Sequence, residues 1–317
     1  MTSILIIGDP PTAEERTLNQ PFTGRNGRVL DSMLQNAGIN REEVTLLNLT
    51  PDTKKIATKI NPNIIITMGA RPFGEFVKGS FDKMAGSVVR GRGGEKVIGV
   101  YNPDWLLKGQ MRMKALGEVF LKRAKRWSYD ASVPSYGQNF YSGGTSVGEY
   151  IDLLESLREE GSLAFDIETR GNNLTCMGFA WSAEDALIIP LTKGIGNYWR
   201  VSEEAELWRS VASILEDPTI EIICHNAYYE CSILGRCHGV IIENVWDTMV
   251  VHHELWPEMD KGLDDIVRLY TDRPYYKDMK GWKKGDEELW EYNGLDCVST
   301  WECRQVLGRL LDNSSQE

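Results

Sequence analysis

The chain has 317 residues, 42% of them hydrophobic, and a formal net charge of −11. That length suits two domains of ordinary size, no apolar run is long enough to span a membrane, and the opening residues lack the basic segment of a secretory signal, so a cytoplasmic protein is expected. The charge is divided unevenly: residues 1–127 hold 20 Lys and Arg against 12 Asp and Glu, and the remainder 15 against 34, a pattern that points to a polyanionic partner for the first half and to cation binding or repulsion in the second.

Ser3 to Gly8 reads as a buried strand that turns at Gly8-Asp9-Pro10-Pro11. Gln20 to Arg28 is a glycine-spaced loop. Val29, Leu30, Met33, Leu34 and Ala37 then have the spacing of a helix that Gly38 can end. Val44 to Asn48, Asn63 to Gly69 and Val97 to Tyr101 are further strands, and residues 108–127 form a basic amphipathic helix. The Arg90-Gly91-Arg92-Gly93-Gly94 run lacks the spacing and the Lys-Ser/Thr ending of a phosphate loop, and a hairpin tip is expected. Alternating strands and helices predict an α/β fold with a doubly wound, mostly parallel α/β/α sheet, whose ligands sit at the carboxyl ends of the strands. Asp9, Asn48, Gly69 and Asn102 all fall at such ends.

The segment Pro21-Phe22-Thr23-Gly24-Arg25-Asn26-Gly27-Arg28-Val29-Leu30 resembles the PF-x-G-R-x-G-R-x-L segment of the uracil-DNA glycosylase superfamily, especially its iron–sulfur-containing branch. The resemblance covers nearly all of residues 1–127. It implies a uracil pocket in which Asp9 handles the attacking water, Phe22 stacks on the flipped base and Asn48 reads the base edge. Asn102, in Tyr101-Asn102-Pro103-Asp104, stands where the motif has histidine. A neutral Asn donates a hydrogen bond to a leaving uracil anion but brings no positive charge. All six cysteines lie beyond residue 170, so no iron–sulfur cluster is expected. Two readings follow. One is a DNA-binding or docking domain that meets phosphates through Arg25, Arg28, Arg90, Arg92 and the basic helix with Arg112, Lys114, Lys122, Arg123, Lys125 and Arg126. The other is a working uracil-excising enzyme.

Residues 128–144 are rich in Ser, Gly, Tyr and Asn and read as a linker into an edge strand, which places the domains at residues 1–132 and 133–317. Thr145 or Ser146 caps a helix ending near Glu160, with Glu149 at capping-box distance. The stretch Leu163-Ala164-Phe165-Asp166-Ile167-Glu168-Thr169 is then a buried strand on which Asp166 and Glu168 point the same way. Such a pair is tolerated if solvated, if one acid is protonated, or if a cation lies between them. Two more strands, residues 176–182 and 186–191, suggest an antiparallel meander. A helix over Glu203–Glu216 precedes a strand over Glu221–His225, which runs into a helix that continues through Leu234 and puts Asn226 and Glu230 on one face. Asp247 and Gly262 begin two further helices. Glu287 to Leu311 is a long one, with Tyr292 and Asp296 on one face.

Asp-x-Glu on a strand, Asn-x-x-x-Glu after a strand and Tyr-x-x-x-Asp on a late helix, with His-Asn-Ala at the second motif and Gly-Leu-Asp between, resemble the DnaQ-like 3′–5′ exonuclease superfamily. The third motif is of the tyrosine type. The proofreading domains of family A DNA polymerases are nearest in pattern, over residues 138–311. The resemblance implies an RNase H-like mixed sheet and phosphodiester hydrolysis with two divalent ions, Mg²⁺ or Mn²⁺. On that reading Asp166 bridges both ions, Glu168 and Asp296 complete one site, and Glu230 serves the second through water. Tyr292 orients the attacking water, and Asn226 supports the substrate end. The family usually has Asp where this chain has Glu230, which keeps the charge and lengthens the reach.

The sequence ends soon after the third motif. The expectation is therefore a nuclease on single-stranded DNA 3′ ends that proofreads in trans for a separate DNA polymerase, as in phage systems in host cytoplasm. A non-catalytic DNA-binding or polymerase-docking protein is the alternative, and RNA stays open as a substrate. Cys224, His225, Cys231, Cys237 and His238 fit no common zinc spacing. His252 and His253 are expected in the core or on the surface. Trp282 with Lys280, Lys283 and Lys284 either stacks on a single strand or packs as a loop.

Overall fold

The computed structural model describes residues 3–107, 111–144, 146–171, 173–277 and 285–314, without the side chains of 106, 111 and 112. Lys108, the Arg112 side chain, Thr145, Lys280, Trp282, Lys283 and Lys284 lie outside the described residues. The chain forms two units. The first comprises Met1–Ser135 and Asp272–Tyr275, the second Tyr136–Thr271 and Tyr276–Glu317.

In the first unit the elements run β1 (Ile4–Gly8), α1 (Ala13–Leu18), α2 (Gly24–Asn36), β2 (Val44–Asn48), α3 (Thr53–Ile60), β3 (Ile64–Met68), α4 (Ala70–Phe76), α5 (Phe81–Met84), β4 (Val88–Arg90), β5 (Lys96–Val100), α6 (Pro103–Leu107) and α7 (Met111–Ser128). The strand order is β2-β1-β3-β5-β4, parallel except for the antiparallel edge strand β4. β1, β3 and β5 are buried along their whole length, as a parallel sheet covered by helices on both faces requires. The Arg90–Gly94 run is the turn of the β4–β5 hairpin, closed by Gly91 N–H donating to the Glu95 carbonyl.

Two expectations are corrected in this unit. The glycine-spaced loop is shorter than expected, because α2 begins at Gly24. Phe22 and Gly24 both have positive φ (52° and 65°), and a Cβ on Gly27 would run into the Phe22 carbonyl oxygen. The glycines thus permit a tight entry into the helix. The basic helix α7 is also not an open row of phosphate ligands. Arg123 is 6% exposed, donates to the Gly86 carbonyl at 2.6 Å and pairs with Asp272 at 2.9 Å. Arg126 pairs with the same carboxylate, Trp127 Nε1 donates to it, and Lys125 donates to the Gly38 carbonyl. A guanidinium inside a protein is stable only when paired, and Asp272 is that pair.

The second unit runs β6 (Asn139–Tyr141), α8 (Val147–Leu157), β7 (Ser162–Arg170), β8 (Asn173–Ala180), β9 (Asp185–Pro190), β10 (Thr192–Lys193), β11 (Gly196–Asn197), α9 (Val201–Leu215), β12 (Glu221–Cys224), α10 (Tyr228–Cys237), β13 (Val245–Asp247), α11 (Thr248–Leu255), α12 (Leu263–Tyr270) and α13 (Asp286–Ser314). Its mixed six-stranded sheet has the order β13-β12-β7-β8-β9-β6. β7, β8 and β9 form the antiparallel meander, while β12 pairs in parallel with β7 and with β13. Ser146 caps α8 by accepting from Glu149 N–H, and the Glu149 carboxylate accepts from the Tyr141 hydroxyl. Alternation along β7 sorts its residues. Leu163, Phe165 and Ile167 pack with α8 and α9 residues such as Leu154 and Val211. Ala164 packs with Leu289, Cys297 and Val298 of α13. By the two-residue period, Asp166 and Glu168 share the α13 face.

A third correction concerns Asn226. It precedes α10 and has φ 68°, so it does not share a helical face with Glu230. The strand–helix turn needs a left-handed residue there, and Asn accepts that conformation more readily than most.

Candidate functional site

The second unit brings four carboxylates together. β7 supplies Asp166 and Glu168, and α13 supplies Asp296. One carboxylate oxygen from each of these three lies within 4.8 Å of the others. Glu230 arrives from α10 and is 3% exposed, and its Oε2 is buried without a hydrogen-bond partner. Burial first, then Asp296, Glu168 and Glu230, raise the Asp166 pKa well above the carboxylate range. Burial, with Asp247 and Glu168 behind it, pushes Glu230 up to about 8. Four hard oxygen donors in a crowded, partly desolvated space, one with an orphaned oxygen, suit Mg²⁺ or Mn²⁺.

Neighbours fix these acids. Opposite Asp166, β8 carries Gly178, and a Cβ there would lie 2.7 Å from Cys297 Sγ and closer still to Asn293 Oδ1. The gap admits Asn293, fully buried, whose Nδ2 donates to Asp166 Oδ2 at 2.7 Å. Asp296 accepts from the Tyr276 hydroxyl at 2.7 Å and from Lys277 Nζ at 2.6 and 2.8 Å. The same ammonium donates to the Tyr292 hydroxyl oxygen at 2.9 Å. Burial and then Asp296 raise the Tyr292 pKa, so its hydroxyl stays protonated.

The turn before α10 is held by one side chain. The Asp247 carboxylate accepts from the backbone N–H groups of Asn226 (3.1 Å), Ala227 (2.8 Å) and Met249 (2.8 Å). Thr248 donates to the Cys224 carbonyl and bonds His225 Nδ1. Burial pushes His225 down to about 4, so it is neutral near pH 7. Asp247 therefore caps α11 and aims α10, which delivers Glu230.

Of the residues expected from the sequence, Asp166, Glu168, Glu230, Tyr292 and Asp296 converge, while Asn226 occupies an exposed turn. No motif in the sequence points to Lys277, Tyr276 or Asp247 as parts of the site. Asn293 had one local signal, since it directly follows Tyr292 in the third motif. Elsewhere in the unit His252 is buried and bonds the Tyr270 hydroxyl, and His238 stacks on Trp208.

In the first unit a cavity of ≈180 Å³ is lined by Asp9, Glu15, Phe22, Asn48, Asn102 and Asp104 among others. By this measure one water needs about 10–15 Å³, so a planar ring has room. The amides of Asn102 and Asn48 on its wall are already engaged. Asn102 Nδ2 donates to Asp9 Oδ2 (2.7 Å) and to the Met68 carbonyl (3.4 Å). Asn48 Nδ2 donates to the Asp9 carbonyl (3.1 Å) and to Glu15 Oε1 (3.3 Å). Glu15, not singled out from the sequence, also accepts from Phe22 N–H at 2.7 Å and so holds the left-handed turn beneath the ring. Burial raises the Asp9 pKa against the opposing pull of Arg71 and Asn102. Arg25 and Arg28 are exposed on α2.

Residues 147–312 match the family model described as 3′–5′ exonuclease, and residues 1–125 match that of the uracil DNA glycosylase superfamily. A type-4 uracil-DNA glycosylase of Thermotoga maritima is 32% identical over 131 residues, 34% of this chain and 68% of that one. Among solved structures, Escherichia coli RNase D, an exoribonuclease involved in structured RNA processing, is 15% identical with a TM-score of 0.43, over 57% of this chain and 46% of that one. Brucella melitensis NrnC with bound Mg²⁺ is 17% identical with a TM-score of 0.41, over 57% and 84%.

Proposed function

Because this chain belongs to the 3′–5′ exonuclease family through residues 147–312 and to the uracil DNA glycosylase superfamily through residues 1–125, we propose that it trims DNA from the 3′ end at the Asp166–Glu168–Glu230–Asp296 site, with the first unit serving as a DNA-binding or docking module. The convergence of three carboxylates within 4.8 Å carries this reading. Divalent ions held by these acids would activate the attacking water and neutralise charge on the leaving oxygen. Asn293 holds Asp166 in one rotamer for that task. The Tyr292 hydroxyl, kept protonated by burial and Asp296, orients the water by hydrogen bonding. Glu230 supplies the orphaned oxygen for a second ion. The substrate's 3′ end is single-stranded, and the exonuclease proofreads in trans for a separate polymerase.

The test is digestion of a primer with a mismatched 3′ nucleotide in Mg²⁺, alongside a matched RNA strand. Shortening of the DNA by wild type, at least about 10³-fold slower in Asp166→Ala, is expected. Equal rates in the two proteins would remove the site, and degradation of RNA alone would change the substrate.

The cavity with Phe22 on its wall supports uracil excision as a second reading. The engagement of the Asn102 amide by Asp9 weighs against it, because the leaving base then lacks its donor. A uracil-containing strand incubated with the protein should stay intact under alkaline workup. Cleavage at the uracil would establish the second activity.

A further inference from the structure

Lys277 is paired with one of the acids of the site, Asp296. Its Nζ lies 2.6 and 2.8 Å from the two oxygens of Asp296, a chelating position, and 2.9 Å from the Tyr292 hydroxyl. It also lies over two aromatic rings, 5.2 Å from the Tyr276 centroid and 4.9 Å from that of Tyr292. Both side chains of the ion pair are largely buried, at 15% and 8% exposure, so water screens the pair weakly. Asp296 Oδ1 has a second donor in the Tyr276 hydroxyl.

A divalent ion held by Asp296 would sit against the same carboxylate oxygens. An ammonium chelated by both oxygens of the same carboxylate would then be a like charge a few ångströms away, in a site where such repulsion is strong. We propose that Lys277 is the resident counter-ion of the acidic site, so that loading a divalent ion onto Asp296 is an exchange in which the ammonium leaves the carboxylate. The inference rests on the reading of Asp166, Glu168 and Asp296 as metal ligands. It gives Lys277 two opposed effects. In metal-free protein it relieves the repulsion among the acids and keeps Tyr292 and Asp296 aligned. Toward the metal it is a competitor that lowers affinity and makes the site refuse weak or scarce ions.

The experiment is Mn²⁺ titration of the full-length protein by calorimetry, with thermal unfolding in chelator and in Mn²⁺ as a second readout. Lys277→Met should bind Mn²⁺ at least about fivefold tighter than wild type, melt lower in chelator, and gain more on adding Mn²⁺. Lys277→Gln serves if the Met variant does not fold. Lys277→Arg, which keeps the charge, should stay near the wild-type affinity. Unchanged or weaker Mn²⁺ binding in the neutral variants, with wild type still binding, would overturn the exchange while leaving the metal site standing. No Mn²⁺ binding by any form, Asp296→Asn included, would overturn both.

Discussion

Glu230, buried among like charges, should cost the metal-free protein stability at neutral pH, and Glu230→Gln tests this. The unfolded chain releases this proton near pH 4.5, whereas the folded chain holds it to about 8. Between those values the folded state binds the extra proton, so stability falls as pH rises through the window. At pH 7 the unfolded chain gains 2.5 pH units of ionisation that the folded chain forgoes, a cost of about 3 kcal/mol. At pH 5 the cost is below about 1 kcal/mol by the same relation. Glutamine keeps the shape and removes the charge. In chelator, urea unfolding should therefore give Glu230→Gln the higher stability by about 3 kcal/mol at pH 7, shrinking toward pH 5. Saturating Mg²⁺ should narrow the gap, because a ligand at 100 times its Kd adds about 2.7 kcal/mol to the form that binds it. A difference independent of pH, or a variant less stable than wild type at pH 7, would refute the burial and crowding argument for Glu230.

Gly178→Ala should force Asn293 off Asp166, costing about 1–3 kcal/mol in unfolding free energy. It should also lower kcat for primer trimming with KM retained, and an unchanged kcat would separate the Asn293 bond from catalysis. His225 works on pH in the opposite sense to Glu230. The unfolded chain takes up a proton below pH 6.5 and the folded chain only near 4, so stability falls with acid across that window by up to about 3 kcal/mol. His225→Gln should flatten the urea midpoint between pH 7 and 4.5 in chelator, and an unaltered slope would contradict the assignment.

The acids of β7 are readable in the sequence because a strand's two-residue period is local: Asp166 and Glu168 share a face whatever surrounds them. Tyr292 and Asp296 are readable for the same reason in α13. The alternation of apolar strands and helices likewise anticipates both sheets. Asn226 is misplaced by that logic because one left-handed residue moves the helix start past it, and nothing in Asn-Ala-Tyr distinguishes the two outcomes. Lys277 and Tyr276 are invisible because their roles depend on where the chain re-enters the second unit, which no periodicity encodes. Arg123 looks like any basic helix residue until Asp272, 149 positions later, is seen beside it.

The return of Asp272–Tyr275 to the first unit bears on how this protein can be divided. Two family matches lying end to end suggest two modules that a single cut would separate. A fragment ending at Ser135 would lack Asp272 and leave the Arg123 guanidinium, 6% exposed, without its carboxylate. Breaking a buried pair on one side costs about 3–5 kcal/mol, a large share of what a domain this size has in hand. A fragment of the first unit alone should therefore be less stable than the same unit within the whole chain, and an acid grafted beside Arg123 should restore part of the loss.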